Sequence, residues 1–159
     1  MKKRILMLTL TLCLLLAARG FALTVSRPAQ STGGLRQAAT VKSDLADEVV
    51  RQVNLERGKR GLGALRISPE LSRASRIRAM EITRLFSHTR PDGTAWRTVS
   101  STAYGENIAM GQRTADKVMA AWMTSSGHRA NILRPSYGSI GVCAVTSNGV
   151  TYWVQLFGR

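Results

Sequence analysis

The chain has 159 residues, enough for one domain with a buried core, and its 23 basic and nine acidic residues give a net charge of +14. Such a charge suggests a nucleic-acid partner, but the arginines are scattered rather than clustered with aromatic residues, so we expect no specific nucleic-acid binding. Attraction to anionic envelope polymers or phospholipid head groups fits this charge better.

The first 22 residues are typical of a secretory signal peptide. Lys2, Lys3 and Arg4 precede an apolar run from Ile5 to Ala18, and small residues follow. The run is too short for a stable membrane span, so a retained N-terminal anchor is the less favoured alternative. We therefore predict that the protein is secreted or resides in the periplasm or cell envelope. Removal of the segment takes away four cations and lowers the net charge to +10.

The predicted mature chain keeps one cysteine, Cys143, and therefore cannot form an intrachain disulfide. Cys143 lies in an alternating apolar run, so we expect a core residue rather than a nucleophile. An exported domain without disulfides is held together by packing alone, which favours a bacterial envelope or secreted protein.

Residues 23–42 contain Ser, Thr, Gly, Gln and Ala without apolar periodicity, which predicts a flexible linker. The first helix is predicted to begin at Ser43, a favourable N-cap, and to be ended by Gly58 and Gly61. Its apolar positions recur at helical spacing: Leu45, Val49 and Val53.

The second helix has the clearest start signal, "SPEL", with Ser68 as the cap and Pro69 at the first helical position. It is predicted to run to about Phe86. An apolar stripe follows its length: Leu71, Ala74, Ala79, Ile82 and Leu85. Three arginines are predicted to face water: Arg73, Arg76 and Arg84.

Shorter elements follow a turn at Pro91-Asp92-Gly93. The segment "GENIAM" has the size of a strand. A third helix is predicted from near Thr114 to Gly127, and a short fourth helix begins at His128 and is halted by Pro135.

The chain ends in a predicted β-hairpin. "SIGVCAVTS" and "VTYWVQLFG" both alternate, and Asn148-Gly149 between them is the strongest short hairpin signal. Helices mixed with an antiparallel pair of strands predict the α+β class.

Three segments place an ionisable group beside Gly or Pro: "FSHTRPDG", "YGENIAMG" and "SSGHRANIL". Two imidazoles and a carboxylate, from His88, His128 and Glu106, form the minimal ligand set of many zinc and iron sites. Spacing alone favours a capping or satisfied polar role for each histidine, because no local motif ties the three residues together.

Together these segments resemble the CAP superfamily, which contains the cysteine-rich secretory proteins, antigen 5 and the plant pathogenesis-related proteins and is also called SCP-like. The likeness extends from about Ser43 to Arg159 and includes "NLERGKRGLGAL", "SPEL" and "IGVCAV…YWVQLFG" in register. The bacterial disulfide-free branch is the most similar. The resemblance implies a CAP domain over residues 43–159, built as an α-β-α sandwich with a central antiparallel sheet.

The resemblance also implies a shallow cleft that carries two histidines and two acidic residues. His88, Glu106 and His128 match three of these positions, and Ser125 stands where animal members have the fourth, acidic residue. A divalent metal, zinc above all, would be bound by His88 and His128, with Glu106 as a ligand, an orienting group or the holder of a water. Affinity should fall below about pH 6, near the ordinary histidine pKa.

Several neighbouring residues have predicted supporting roles. Tyr104 and Asn107 could contact a ligand or orient the ligating groups, and a structural bond to a neighbouring backbone is equally open for Asn107. Four residues are expected to have structural or core roles: Arg129, Asn131, Trp122 and Trp153.

Three functions remain open. A non-enzymatic binding module for a lipid, a peptide, a glycan or a partner protein is favoured, because the chain has no evident nucleophile and Ser125 removes a candidate general base. The alternative is a metal-dependent hydrolase of peptide or cell-wall bonds, in which His88, His128 and Glu106 activate a water. A third possibility is that these side chains only brace the cleft. We expect a monomer.

Overall fold

The computed structural model describes residues 38–159. The predicted signal peptide and most of the predicted linker lie outside the described residues. The linker prediction is wrong at its end, where Thr40–Val41 forms a short strand that pairs antiparallel with Thr146 and Val145. Local sequence missed this strand because its partner lies near the other end of the chain.

The described residues form five strands, four α-helices and one short 3₁₀ helix at Trp96–Val99. In chain order the strands and α-helices are β1 Thr40–Val41, α1 Ser43–Gly58, β2 Arg66–Ile67, α2 Pro69–Ile82, β3 Gly105–Met110, α3 Ala115–Thr124, α4 Ser126–Ile132, β4 Ser139–Ser147 and β5 Val150–Gly158. Within residues 38–159, no helix has the length and apolar character needed to cross a membrane.

Two helix starts follow the capping chemistry of the sequence. The Ser68 hydroxyl accepts a bond from the backbone N–H of Leu71 at 3.2 Å, and Pro69 occupies the first turn of α2. The Thr114 hydroxyl caps α3 in the same way through the N–H of Lys117 at 3.3 Å. Ser43, in contrast, is the first residue of α1 rather than its cap, which is Lys42.

Helix ends differ more from the prediction. α2 ends at Ile82 rather than Phe86, so Leu85 is exposed instead of continuing the buried stripe. α3 ends at Thr124, and α4 begins at Ser126, two residues before His128. The sequence has no strong local signal at these helix ends. Tertiary packing decides where the last turn of each helix stops.

The hairpin prediction is confirmed. Asn148 and Gly149 have φ values of 50° and 76°, as a two-residue turn of type I′ requires, and they join β4 to β5. The sheet order is β1-β4-β5-β3 with antiparallel neighbours, and β2 adds a short parallel pairing to β4.

The sheet lies between two helical layers, which confirms the α-β-α sandwich. Side chains alternate along β5: Val154 and Leu156 pack in the cluster with α2, whereas Trp153 and Phe157 pack in the cluster with α1, α3 and α4. Trp122 and Trp153 are buried as expected, and so is the free thiol of Cys143.

Candidate functional site

The edge strand β3 separates the predicted site residues onto two faces of the sheet. Glu106 pairs with Leu156, whose side chain packs with α2. Asn107 pairs with Gln155 and contacts the helices of the other layer. Because successive side chains of a strand point to opposite faces, adjacent residues of "GENIAM" serve different helical layers.

Glu106 is buried and is bound by the guanidinium group of Arg78 from α2. The Nε of Arg78 donates to Oε2 at 2.7 Å, and its Nη2 donates to Oε1 at 3.3 Å. Both side chains are fully shielded from solvent. A buried carboxylate needs such a partner to offset its lost hydration, and this arginine supplies it.

Arg78 is further held by two acceptors at the end of α2. It donates to Glu81 Oε2 at 2.7 Å and to the Ser87 carbonyl at 2.8 Å, and Arg90 binds the second oxygen of Glu81 at 2.6 Å. Burial alone would lower the pKa of Arg78, but the bonds to Glu106 and Glu81 outweigh it and raise that pKa. The result is a chain of alternating charges, in which the positive charge of Arg78 compensates the negative charge of the buried Glu106 carboxylate.

His88 also contacts Glu106. Its Nδ1 lies 2.7 Å from Oε1 of the carboxylate, and 55% of its side chain is exposed. Since a carboxylate only accepts, Nδ1 carries the proton of this bond, and Nε2 is the atom left open in a neutral ring.

His128 lies on α4, in the opposite helical layer. It lines a recess of about 330 Å³ together with Phe86, Ile108, Trp122 and Ser125. Burial lowers the pKa of His128, and positive charge on the nearby His88 lowers it further. The structure therefore brings His88 and Glu106 into direct contact and places His128 and Ser125 together in the neighbouring recess.

Asn107 belongs to a buried amide network that joins α4 to the sheet. Its Nδ2 donates to the His128 carbonyl at 3.1 Å and to Gln155 Oε1 at 3.0 Å, while Asn131 donates to its Oδ1 at 2.9 Å. Asn131 also reaches the Glu106 carbonyl at 3.2 Å. These contacts fit the structural role that remained open for Asn107 and the one expected for Asn131.

His88 and Glu106 line a cleft of about 490 Å³. Two cation–aromatic pairs also line it: the Arg159 guanidinium lies 4.6 Å from the ring centroid of Tyr104, and that of Arg134 lies 5.5 Å from the centroid of Tyr137. The Tyr137 hydroxyl donates to the Tyr104 carbonyl at 2.9 Å, which links the two pairs. The cleft is therefore cationic and partly aromatic.

Arg57 positions one wall of this cleft and was missed from the sequence. Although buried, it donates to the carbonyls of Ile132 at 2.9 Å, Arg134 at 3.0 Å and Tyr137 at 3.2 Å. Desolvation lowers its pKa. A signal existed: Arg57 lies four residues after Val53, and Arg78 four after Ala74, so helical periodicity places both on buried faces.

A second groove, of about 460 Å³, lies between α1 and α3. Its cations are largely paired internally, because Arg51 binds Glu48 and both Lys59 and Arg60 bind Glu56. This groove contains none of the predicted site residues and offers an approaching anion less free charge than the His88 cleft does.

The donor atoms near His88 limit the metal chemistry available. In the part of the chain that the structure describes, no group of three or more His, Cys, Asp or Glu side chains converges on one point. Glu106 is engaged by Arg78 and His88. The nitrogen atoms still free to bind a metal are therefore Nε2 of His88 and those of the His128 ring, which suit a borderline cation such as zinc but supply only two ligands.

The profile of the CAP family, described as the cysteine-rich secretory protein family, matches residues 50–157. The uncharacterized protein YkwD of Bacillus subtilis (strain 168) is 36% identical over 137 residues, covering 81% of this chain and 52% of that protein. The chain thus spans about half the length of this curated relative.

Solved structures share the fold at low identity. An outer surface protein from Borrelia burgdorferi has a TM-score of 0.65 and 18% identity, covering 76% of this chain and 98% of that chain. An extracellular protein containing an SCP domain, from Bacillus anthracis strain Ames, has a TM-score of 0.66 and 19% identity, covering 74% of this chain and 41% of that chain. These likenesses concern the fold alone.

Proposed function

The chain belongs to the CAP family of cysteine-rich secretory proteins, and on that premise we propose that it is a non-enzymatic extracellular binding module whose His88 cleft holds an anionic ligand. The ligand class is a glycan, peptide or lipid fragment that bears a carboxylate or phosphate group. The observation that carries this proposal is the pair of guanidinium groups, Arg134 and Arg159, each set over a tyrosine ring in the cleft.

The basic side chains that line or adjoin the cleft outnumber the acidic ones. The carboxylate of Glu106 is neutralised by Arg78, and Glu81 is neutralised between Arg78 and Arg90. Within residues 38–159, neither Arg134 nor Arg159 forms an ion pair with a carboxylate. An anion entering the cleft would therefore meet two guanidinium groups that no side-chain carboxylate of the described residues binds.

The aromatic rings restrict the orientation of these guanidinium groups, which favours an anion whose oxygen atoms match that orientation. A guanidinium stacked on a ring loses side-chain freedom before binding and still presents its planar fork of donors. Such a fork matches a carboxylate or phosphate through two parallel hydrogen bonds. Trp96, on the same cleft, adds an apolar surface on which a sugar ring could stack.

The test compares matched charged and neutral probes by isothermal titration of the purified protein. N-acetylmuramic acid carries a carboxylate that neutral N-acetylglucosamine lacks, and glycerol 3-phosphate is matched by glycerol. We expect saturable binding of at least one charged probe and none of its neutral match. Arg134→Gln and Arg159→Gln should each weaken it tenfold or more, since a charge-assisted bond contributes about 1.5–3 kcal/mol.

Arg113→Gln is the matched control, because Arg113 is an exposed arginine just beyond the far end of β3 and outside the cleft. Equal losses in all three variants would mean that net charge alone attracts the probes. That result, or the absence of binding to either charged probe, would overturn the proposal.

A metal in the same region is a separate part of the proposal. Glu106 fixes the His88 ring through Nδ1 and leaves Nε2 for a cation, while the lowered pKa of His128 keeps that ring neutral and able to bind. A bound zinc ion would add positive charge beside the cleft. Zinc titration should give one site that His88→Ala and His128→Ala both remove; binding that survives in both variants would place the ion elsewhere.

The hydrolase alternative has weaker support. A metal-activated water needs a base to accept its proton, and the candidate carboxylate, Glu106, is engaged by Arg78 and His88. This arrangement supports binding over hydrolysis.

A further inference from the structure

The outer face of α2 carries exposed apolar side chains among arginines. Ile77 is 49% exposed and Met80 is 37% exposed, and Leu85 and Phe86, just past the helix end, are 45% and 42% exposed. Arg73, Arg76, Ile77 and Met80 lie at helical spacing on one side of α2, and Arg84, just past the helix end, lines the same surface recess. We call these five residues the α2 face: Arg73, Arg76, Ile77, Met80 and Arg84. Phe86 lines the His128 recess instead.

The cations of the α2 face are not neutralised by the helix itself. Among the described residues, Arg73, Arg76 and Arg84 form no ion pair with a carboxylate. The two acidic residues of α2 have other hydrogen-bond partners: Glu81 binds Arg78 and Arg90, and Glu70 accepts a bond from the Ser100 hydroxyl at 2.6 Å and attracts Arg73 without forming an ion pair with it. The face therefore combines a net positive charge with two exposed apolar side chains, Ile77 and Met80.

We propose that the α2 face docks onto the surface of an anionic phospholipid bilayer. Arg73, Arg76 and Arg84 contact lipid phosphates, and Ile77 and Met80 enter the boundary between head groups and acyl chains. This is how an amphipathic helix with a basic polar part lies in a membrane interface. The buried side of the same helix stays in the protein core, so docking requires no unfolding.

The composition of the face favours a bilayer over a soluble anionic polymer. A polymer would pair with the arginines but leave the exposed side chains of Ile77 and Met80 in water. A bilayer surface satisfies both groups, because it offers phosphates and hydrocarbon within a few ångströms of each other.

The test is co-sedimentation with vesicles of phosphatidylcholine that contain 30% phosphatidylglycerol or none. We expect binding only to the anionic vesicles. Binding should weaken at higher salt, because dissolved ions screen the attraction between the three arginines and the lipid phosphates. The triple variant Arg73→Gln, Arg76→Gln, Arg84→Gln should lower the partition coefficient on the order of a hundredfold.

The control is a second triple variant, Lys59→Gln, Arg60→Gln, Lys117→Gln, which removes the same number of exposed charges from the turn after α1 and from α3, in the other layer. It should keep most of the binding. The double variant Ile77→Gln, Met80→Gln keeps every charge and should still lose about tenfold or more if apolar side chains enter the interface.

Three results would overturn the proposal. Equal losses in the two triple variants would leave only net charge as the cause. Undiminished binding by the Ile77→Gln, Met80→Gln variant would exclude insertion. Absence of binding to anionic vesicles by a protein with an intact thermal transition would exclude a bilayer as the partner.

Discussion

Arg78 and Glu106 form a fully buried ion pair, although 28 residues separate them and they lie on different elements. The arginine comes from the inward face of α2, and the carboxylate comes from the face of β3 that points towards that helix. The same carboxylate orients His88. This one contact therefore joins the packing of α2 on the sheet to the arrangement of the candidate site.

Removing one partner of this pair should be strongly destabilising. Arg78→Met leaves the Glu106 carboxylate buried without its cation, and we expect the free energy of unfolding in urea to fall by about 3–5 kcal/mol. Arg76→Met, on the exposed side of the same helix, should change it by less than about 0.5 kcal/mol. If the double variant Arg78→Met, Glu106→Leu is no more stable than Arg78→Met alone, an uncompensated charge is not the cause.

Gly141 permits the close approach of α2 to β4. A Cβ at this position would collide with the backbone carbonyl of Leu71 and the amide of Ser72. Backbone atoms cannot move aside cheaply, so we expect Gly141→Ala to lower the free energy of unfolding by at least about 2 kcal/mol. Thermal or urea denaturation measures the loss.

Gly127→Ala is the matched control for that substitution. A Cβ on this helical glycine of α4 would meet open space. Because alanine stabilises helices relative to glycine, the variant should gain about 0.5–1 kcal/mol. Similar losses in both variants would show that the approach of α2 to Gly141 is not what matters.

His128 should make stability depend on pH. Its pKa in the folded protein lies below the ordinary value of 6.5, chiefly because of burial. The unfolded chain therefore binds a proton first as the pH falls, and the free energy of unfolding should decrease from just above pH 6.5 down to the lowered pKa. Urea titrations between pH 7.5 and 5 should show a smaller decrease for His128→Gln, and parallel curves would refute this assignment.

Cys143 should be nearly unreactive in the folded protein. Burial raises the pKa of its thiol to about 11, although the charge of Arg76 acts in the opposite direction. Since only the thiolate reacts, alkylation by iodoacetamide at pH 8 should be at least about a hundredfold slower than for an exposed cysteine. Ser101→Cys places a second thiol at an exposed position as an internal control; equal labelling of both thiols before urea is added would contradict the buried environment.

Much of the fold could be predicted from the sequence because its signals are local. Ser68 and Thr114 cap their helices by bonds that span three residues, and Asn148-Gly149 adopts positive φ angles that few other residue pairs tolerate. The contact between His88 and Glu106 was expected from the family resemblance rather than from spacing. Where no local signal exists, as at the end of α2, the prediction extended too far.

By itself, the sequence determined which segments become the four helices and the strands β3, β4 and β5, where the hairpin turns, and which family the domain belongs to. Only the tertiary structure decided what Glu106 binds and where His128 lies. The alternation of side chains on β3 directs Glu106 towards α2 and Asn107 towards α4, and that sorting takes effect only when both helical layers pack on the sheet. Burial then selects Arg78 among many arginines as the partner of Glu106, because a carboxylate without water must bind the cation that packing places beside it.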